Sequence, residues 1–259
     1  MIGTAAAELT PIHSKLEISN FEATTKTVDD WIHSEWPSSF VIPQLHLELL
    51  QGIKDYSNKG IVPRNPGESR KEDIKVSGEP ENFYVRGADV DPILRDYFTS
   101  LDKRLADLPT EAPGNIDTIV QNASWAYYVF ERIHPYLDCN GRTGRLILNR
   151  IVQGAGLDSI IFLDSWFEQE RENHLDAMNL VDQTGDLSAL ELYILNALKS
   201  NPRNKSLGQE IDNLISTKEK ALLSKRQLKG IENIWEKFSD IDIANPNQMV
   251  REQQSFSAA

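Results

Sequence analysis

The sequence predicts an all-α domain interrupted by a single β-hairpin. Three observations predict it. Apolar residues recur at intervals of three and four along most of the chain. One short stretch, residues 71–87, alternates apolar and polar instead. Prolines and glycines gather between these segments, where turns belong.

Residues 1–24 are mixed and read as a short helical or irregular start, within an N-terminal lead-in over 1–39. In 43–57, Leu45, Leu49, Leu50 and Ile53 have helical spacing, and Pro43 suits a first turn, where its missing donor costs least. Residues 58–70, NKGIVPRNPGESR, read as a loop. Ile74 and Val76 then alternate with polar residues, Ser77–Asn82 supplies a turn, and Phe83–Val85 a second strand, which places the hairpin at 73–86.

Helical signals dominate from there. Val90, Ile93, Leu94, Tyr97, Leu101 and Leu105 make one apolar face over 90–106, with Asp91 before Pro92 as the start signal. Residues 109–114 connect to a helix over Ile116–Ile133, where Ile116, Ile119, Val120, Ala123, Tyr127 and Phe130 share a side. Leu146, Ile147, Leu148, Ile151 and Val152 predict another buried helix, ended by Gly154 and Gly156. Ser165 with Glu168, and Ser188 with Glu191, read as capping boxes before helices that run to Val181 and Leu198. Asn201–Pro202 closes a domain over 40–200. Residues 201–243 read as a charged helical extension, with one or two amphipathic helices in 206–239, and 244–259 as a disordered tail.

The 259 residues are 40% hydrophobic, enough for one sizeable core. Lys and Arg total 27 against 39 Asp and Glu, a formal charge of −12, with no long basic run. Nucleic acid is therefore not an expected partner, because phosphate contacts need a concentrated basic face. The sole cysteine, Cys139, excludes an internal disulfide and a Cys-rich metal site. No stretch approaches the ~20 apolar residues of a membrane span, and the N-terminus lacks the pattern of a secretory signal. A cytoplasmic location is expected, with secretion as an effector left open.

The chemistry is concentrated in HPYLDCNGRTGR, His134–Arg145. It places a histidine, an acid, an amide, a glycine and two arginines between two apolar helices, a costly position unless a ligand satisfies them. The set suits a polyphosphate. A helix start offers unpaired N–H groups and a positive dipole end, and Asn140, Gly141 and Arg142 stand there. With a helix beginning near Gly141, Arg142 and Arg145 are i and i+3, on one side of the first turn. Asp138 could hold Mg²⁺ together with phosphate oxygens. His134, neutral near pH 7, could take a hydroxyl proton. His33 and His46 read as structural or exposed, and His174 as lying on a solvated helix face.

His134–Arg145 resembles the signature of the Fic (Fido) family, HPFxxGNGRxxR, with Tyr136 at the Phe position, Asp138 at the acidic position, and Arg142 and Arg145 at the arginine positions. The order of hairpin, two helices, motif and helix resembles that family over about 40–200. The resemblance implies a Fic-like helical domain with a hairpin flap. It implies transfer of AMP from ATP to a Ser, Thr or Tyr hydroxyl of a target protein, with ATP and Mg²⁺ required. It also implies the roles. His134 is the base, Asp138 the metal ligand, Asn140, Gly141 and Arg142 the anion turn, and Arg145 the holder of the terminal phosphates. Ile74, Val76 and Tyr84 of the flap would dock the target chain.

Some relatives transfer another phosphate-containing group or act in reverse, and a noncatalytic nucleotide- or protein-binding module is the alternative. Family members often carry an inhibitory [ST]xxxE[GN] helix over the second arginine. HSKLEISN resembles it loosely, with Glu17 as the acid facing Arg145, and Ser206–Glu210 is a weaker match. An antitoxin or other regulator is admitted as a partner, and oligomeric state is not specified. Cys139 departs from the family's usual glycine: its Cβ resists the backbone conformation that glycine accepts unless φ is negative, and a displaced anion turn would reduce activity.

Overall fold

In a computed structural model, residues 11–53, 66–74, 84–158 and 170–228 are described. Among them are eight α-helices and two short 3-10 turns, and no strand. We number the helices α1 (Pro11–Ile32), α2 (Ser38–Leu49), α3 (Val90–Ala106), α4 (Ile116–Ile133), α5 (Asn140–Gly154), α6 (Arg171–Thr184), α7 (Ser188–Ser200) and α8 (Gly208–Leu228). Most of the expected hairpin at 73–86 lies outside the described residues, as do the Ser165–Glu168 box and everything after 228.

α4 is the axis of the domain. Thirteen of its residues, from Ile116 to Ile133, are buried, and it packs against α3, α5, α7 and α8. Its face is apolar on nearly every side, as a helix enclosed by others requires. α5 crosses it closely because Gly144 has no side chain: a Cβ there would lie 2.5 Å from Glu131 Oε1 and 3.1 Å from the Tyr127 ring. α5 also packs on α1 and α2.

α1 is longer than the mixed start suggests. Asn20, Phe21, Thr24, Val28 and Trp31 form its buried stripe. Its polar members are satisfied: Asn20 Nδ2 donates to the carbonyls of Leu49 (3.1 Å) and Gln51 (2.8 Å), and Thr24 Oγ1 to Asn20 O (2.6 Å).

Three helix starts differ from expectation. α2 begins at Ser38, so Pro43 lies inside it and not in its first turn. Asp102 of α3 anchors that start, accepting from Ser38 N (2.8 Å) and Oγ (2.5 Å). α3 begins at Val90 after a 3-10 turn over Gly87–Asp89, and Asp91 accepts from Ser69 and Lys71 instead of capping. Ser188 is the first residue of α7, and its N–H and hydroxyl both donate to Asp186 Oδ1. Glu191 is no capping partner, since it pairs with Lys218 Nζ at 2.7 Å and ties α7 to α8.

Candidate active site

The turn at 134–139 joins the C-terminus of α4 to the N-terminus of α5. His134 ends α4 in a left-handed conformation, φ 47° and ψ 60°, with its N–H on Phe130 O at 2.9 Å. Such torsions cost a residue with a Cβ roughly 1–2 kcal/mol, so the surroundings must impose them. They do so through the main chain. Arg70 N donates to Pro135 O (2.7 Å), its Nε to His134 O (2.7 Å) and its Nη2 to Ile133 O (3.1 Å). Asn140 brackets one residue, its Oδ1 accepting from Tyr136 N (2.9 Å) and its Nδ2 donating to Tyr136 O (2.7 Å).

His46 supports the far side of the turn. Gly67 N donates to its Nδ1 at 2.8 Å, so the ring proton sits on Nε2, 3.1 Å from Asp138 O. The imidazole stacks on Tyr136, centroids 3.8 Å apart and 12° between planes. Burial pushes its pKa down to about 4, against the pull of the Asp138 carbonyl and with a further push from Arg142.

The His134 ring meets the edge of Tyr84 at 4.6 Å. Its Nδ1 is buried, 3.9 Å from Glu131 Oε2. Burial lowers its pKa to about 3, and the Arg70 and Arg132 charges add to that, while the Glu131 carbonyl opposes it. The imidazole is neutral at pH 7.

α5 begins without a side-chain cap. Its first helical bond runs from Thr143 N to Cys139 O at 3.0 Å, so the N–H groups of Asn140, Gly141 and Arg142 have no helical acceptor. Arg142 and Arg145 rise one turn apart beside these donors. A Cβ on Gly141 would lie 3.4 Å from Arg145 Nη1. Arg142 Nη2 is 3.4 Å from Glu17 Oε1 of α1.

Asp138 Oδ1 accepts from Cys139 N at 2.7 Å. Among the described residues, no three His, Cys, Asp or Glu side chains gather to hold a metal. Asp138 is a lone carboxylate at this turn, a donor that could share a cation only with oxygens of a ligand. Cys139 takes φ 58° and ψ 12°, the conformation that favours glycine. Burial raises its thiol to about 12, so it stays protonated and is no nucleophile.

The structure thus brings His134, Asp138, Asn140, Gly141, Arg142, Arg145, Tyr84 and Glu17 to one region. Ile74 is half-buried at the edge of the described chain, and Val76 lies outside it. Glu17, expected opposite Arg145, has an ion pair with Arg142. Glu210, the weaker inhibitory candidate, accepts from Gly114 N at 3.1 Å.

The expectation of a solvated His174 is corrected. It is enclosed by Tyr127 and Tyr193, its Nε2 is 3.1 Å from Tyr127 Oη, and burial with the Arg145 charge lowers its pKa to about 3. His46, read as structural or exposed, is buried and structural, with a partner 92 residues away. The sequence reading missed Arg70, whose partner lies 64 residues away and which no local pattern marks.

Residues 37–152 match the Fic/DOC family. The chain is similar to the proteins named protein adenylyltransferase Fic of Drosophila persimilis and Drosophila melanogaster, 29% identical over 107 residues in each case. Those matches cover 39% of this chain, and they span only about a fifth of the relatives' length (20% and 21%). In fold it is similar to a Fic-domain signaling protein from Bacteroides thetaiotaomicron, with TM-score 0.51, 19% identity, and coverage of 79% of this chain and 72% of that one. It is also similar to Fic-1 of C. elegans, with TM-score 0.53, 20% identity, and coverage of 85% and 56%. The stretch 37–152 is thus similar to the Fic/DOC family, within a chain whose fold resembles Fic-domain structures.

Proposed function

We propose that the chain is a protein adenylyltransferase that moves AMP from ATP to a Ser, Thr or Tyr hydroxyl of a target protein. One observation carries this reading. A buried, neutral imidazole at the end of α4 lies across the turn from the uncapped start of α5, whose first N–H groups have no helical acceptor and which carries two arginines. An anion fits the second, and a hydroxyl awaiting deprotonation fits the first. The name of the Drosophila relatives supports AMP as the group moved.

In this reading the target oxygen attacks the α-phosphorus while His134 Nε2 takes its proton. The bond from that phosphorus to the β-phosphate bridging oxygen breaks, and pyrophosphate leaves. The N–H groups of Asn140, Gly141 and Arg142 receive phosphate oxygens, and Arg145 holds the terminal phosphates. Asp138 would hold Mg²⁺, which neutralises charge on the phosphates. A polyphosphate beside His134 offsets the Arg70 and Arg132 charges and raises its basicity toward the useful range. Ile74 and Tyr84 would steady the target chain beside the imidazole.

Glu17 restrains the site in this proposal, since its carboxylate occupies the guanidinium that a phosphate needs. That same pair favours a second reading, a module that binds nucleotide or protein without turnover. Incubation with base-labelled ATP and cell proteins, followed by intact-mass measurement, separates them. An adduct of AMP mass supports transfer. A different increment redirects the chemistry to another phosphate-containing group. No adduct where ATP binding is demonstrated sinks the transferase reading.

A further inference from the structure

Arg70 is only 2% exposed, yet it has no part in the motif. Its guanidinium sits among main-chain carbonyls: Nε donates to His134 O, Nη1 to Glu72 O at 2.7 Å, and Nη2 to Val85 O and to Ile133 O. Burial lowers its pKa to about 10, with Asp73 and Glu72 opposing, so it remains charged at pH 7. A buried cation supported mainly by carbonyls is costly and needs every donor satisfied. Here two of the acceptors belong to the C-terminal end of α4, where a positive charge also meets the negative end of the helix dipole.

We propose that Arg70 is a positioning residue for His134. Two of its contacts meet at the imidazole. One fixes the carbonyl of His134 itself, and so the left-handed torsion from which the side chain projects. The other fixes Val85 O, next in the chain to Tyr84, whose ring packs edge-on against the imidazole. Val85 N in turn donates to Arg132 O at 3.2 Å, closing the connection to α4. One side chain thus sets both the backbone that bears the imidazole and the aromatic wall beside it. The inference rests on His134 being the general base.

The test uses the full chain with Arg70→Gln and Arg70→Lys. Imidazole ¹H–¹⁵N correlation spectra at pH 7 read the ring directly, with the His134 signals assigned by their loss in His134→Ala. In the folded variants the His134 signals are expected to move or split, while those of His46 and His174 stay in place. Label transfer from base-labelled ATP to protein should fall about 100-fold in Arg70→Gln, with ATP affinity within about twofold, since a misplaced group costs rate before binding. Arg70→Lys, which keeps a charged donor, should recover part of the rate. If the Gln variant does not fold, the Lys variant is read by the same spectra. Unmoved His134 signals in a folded variant overturn the inference, whatever happens to the rate. Wild-type transfer by His134→Ala would instead overturn the general-base reading, and the spectra would still decide whether Arg70 sets the ring.

Discussion

His134 and Cys139 both hold left-handed backbone torsions, φ 47° and φ 58°, at the two ends of the turn between α4 and α5. They are the only residues with a Cβ to do so among those described. At Cys139 the strain is open to measurement. Cys139→Gly and Cys139→Ala both remove the sulfur, but only glycine relaxes the torsion. Elsewhere glycine costs stability against alanine; here Cys139→Gly should be the more stable by about 1 kcal/mol. Urea unfolding of the two variants checks this, and equal midpoints would mean that the turn is not strained there.

Gly144 tests the crossing of α4 and α5. Gly144→Ala would press a methyl against Glu131 Oε1 and the Tyr127 ring, at 2.5 Å and 3.1 Å. Overpacking of this kind costs about 1–3 kcal/mol. Alanine is the better helix former, so a loss of stability isolates the clash. A variant as stable as the parent in thermal unfolding would show that the helices can separate without cost.

Glu17 tests restraint. Glu17→Gly should tighten ATP binding several-fold, up to about tenfold, which corresponds to ~1.4 kcal/mol. Glu17→Gln keeps the helix former and removes only the charge, so the same gain there excludes a helix-breaking origin. Calorimetric titration with ATP reads both. Unchanged affinity and unchanged transfer would leave Glu17 a plain packing contact.

How much of this was legible in the sequence depended on how far apart the partners lie. α4 matched its expected bounds, Ile116–Ile133, because its apolar pattern is nearly unbroken. α1 did not, because Asn20 and Thr24 occupy its buried stripe and become tolerable only through bonds to the end of α2 and within the helix. The motif residues are local, so the motif itself was readable. Its supports were not. His46 and Arg70 act on carbonyls, which no side-chain pattern announces. The contact of Glu17 with Arg142 spans 125 residues and depends on where α1 crosses α5.

Three of the five histidines make stability depend on acid. His46, His134 and His174 have pKa values lowered to about 4, 3 and 3, chiefly by burial. Each takes a proton in the unfolded chain below about 6.5 but not in the folded one until far lower. Stability is therefore fully present above pH 6.5 and is lost as pH falls toward 4. The slope should be about 1.4 kcal/mol per pH unit for each histidine. Unfolding free energies at pH 7, 6 and 5 read it, and His174→Gln should make the slope shallower. A slope the same in that variant would show that other groups carry the acid sensitivity.

The central assignment is tested by comparing His134→Ala with Arg145→Ala. The imidazole is neutral at pH 7 and is the proton acceptor of the proposed function, whereas Arg145 stands beside the first-turn donors of α5. Removing a group that transfers a proton lowers rate and spares binding. Removing a phosphate clamp weakens binding and can slow transfer as well. His134→Ala should therefore cut transfer by about 100- to 10,000-fold with ATP affinity nearly kept, and Arg145→Ala should lose affinity first. His134 also ends α4 in a strained torsion, so the rates must be corrected for folded protein. If His134 only closes the helix and packs against Tyr84, the variant loses or gains stability with no specific loss of rate. Measuring ATP binding by calorimetry and modification by intact mass on both variants decides the matter. A folded His134→Ala chain that modifies protein at the parent rate would remove the imidazole from the chemistry and leave the α5 donors to a binding role alone.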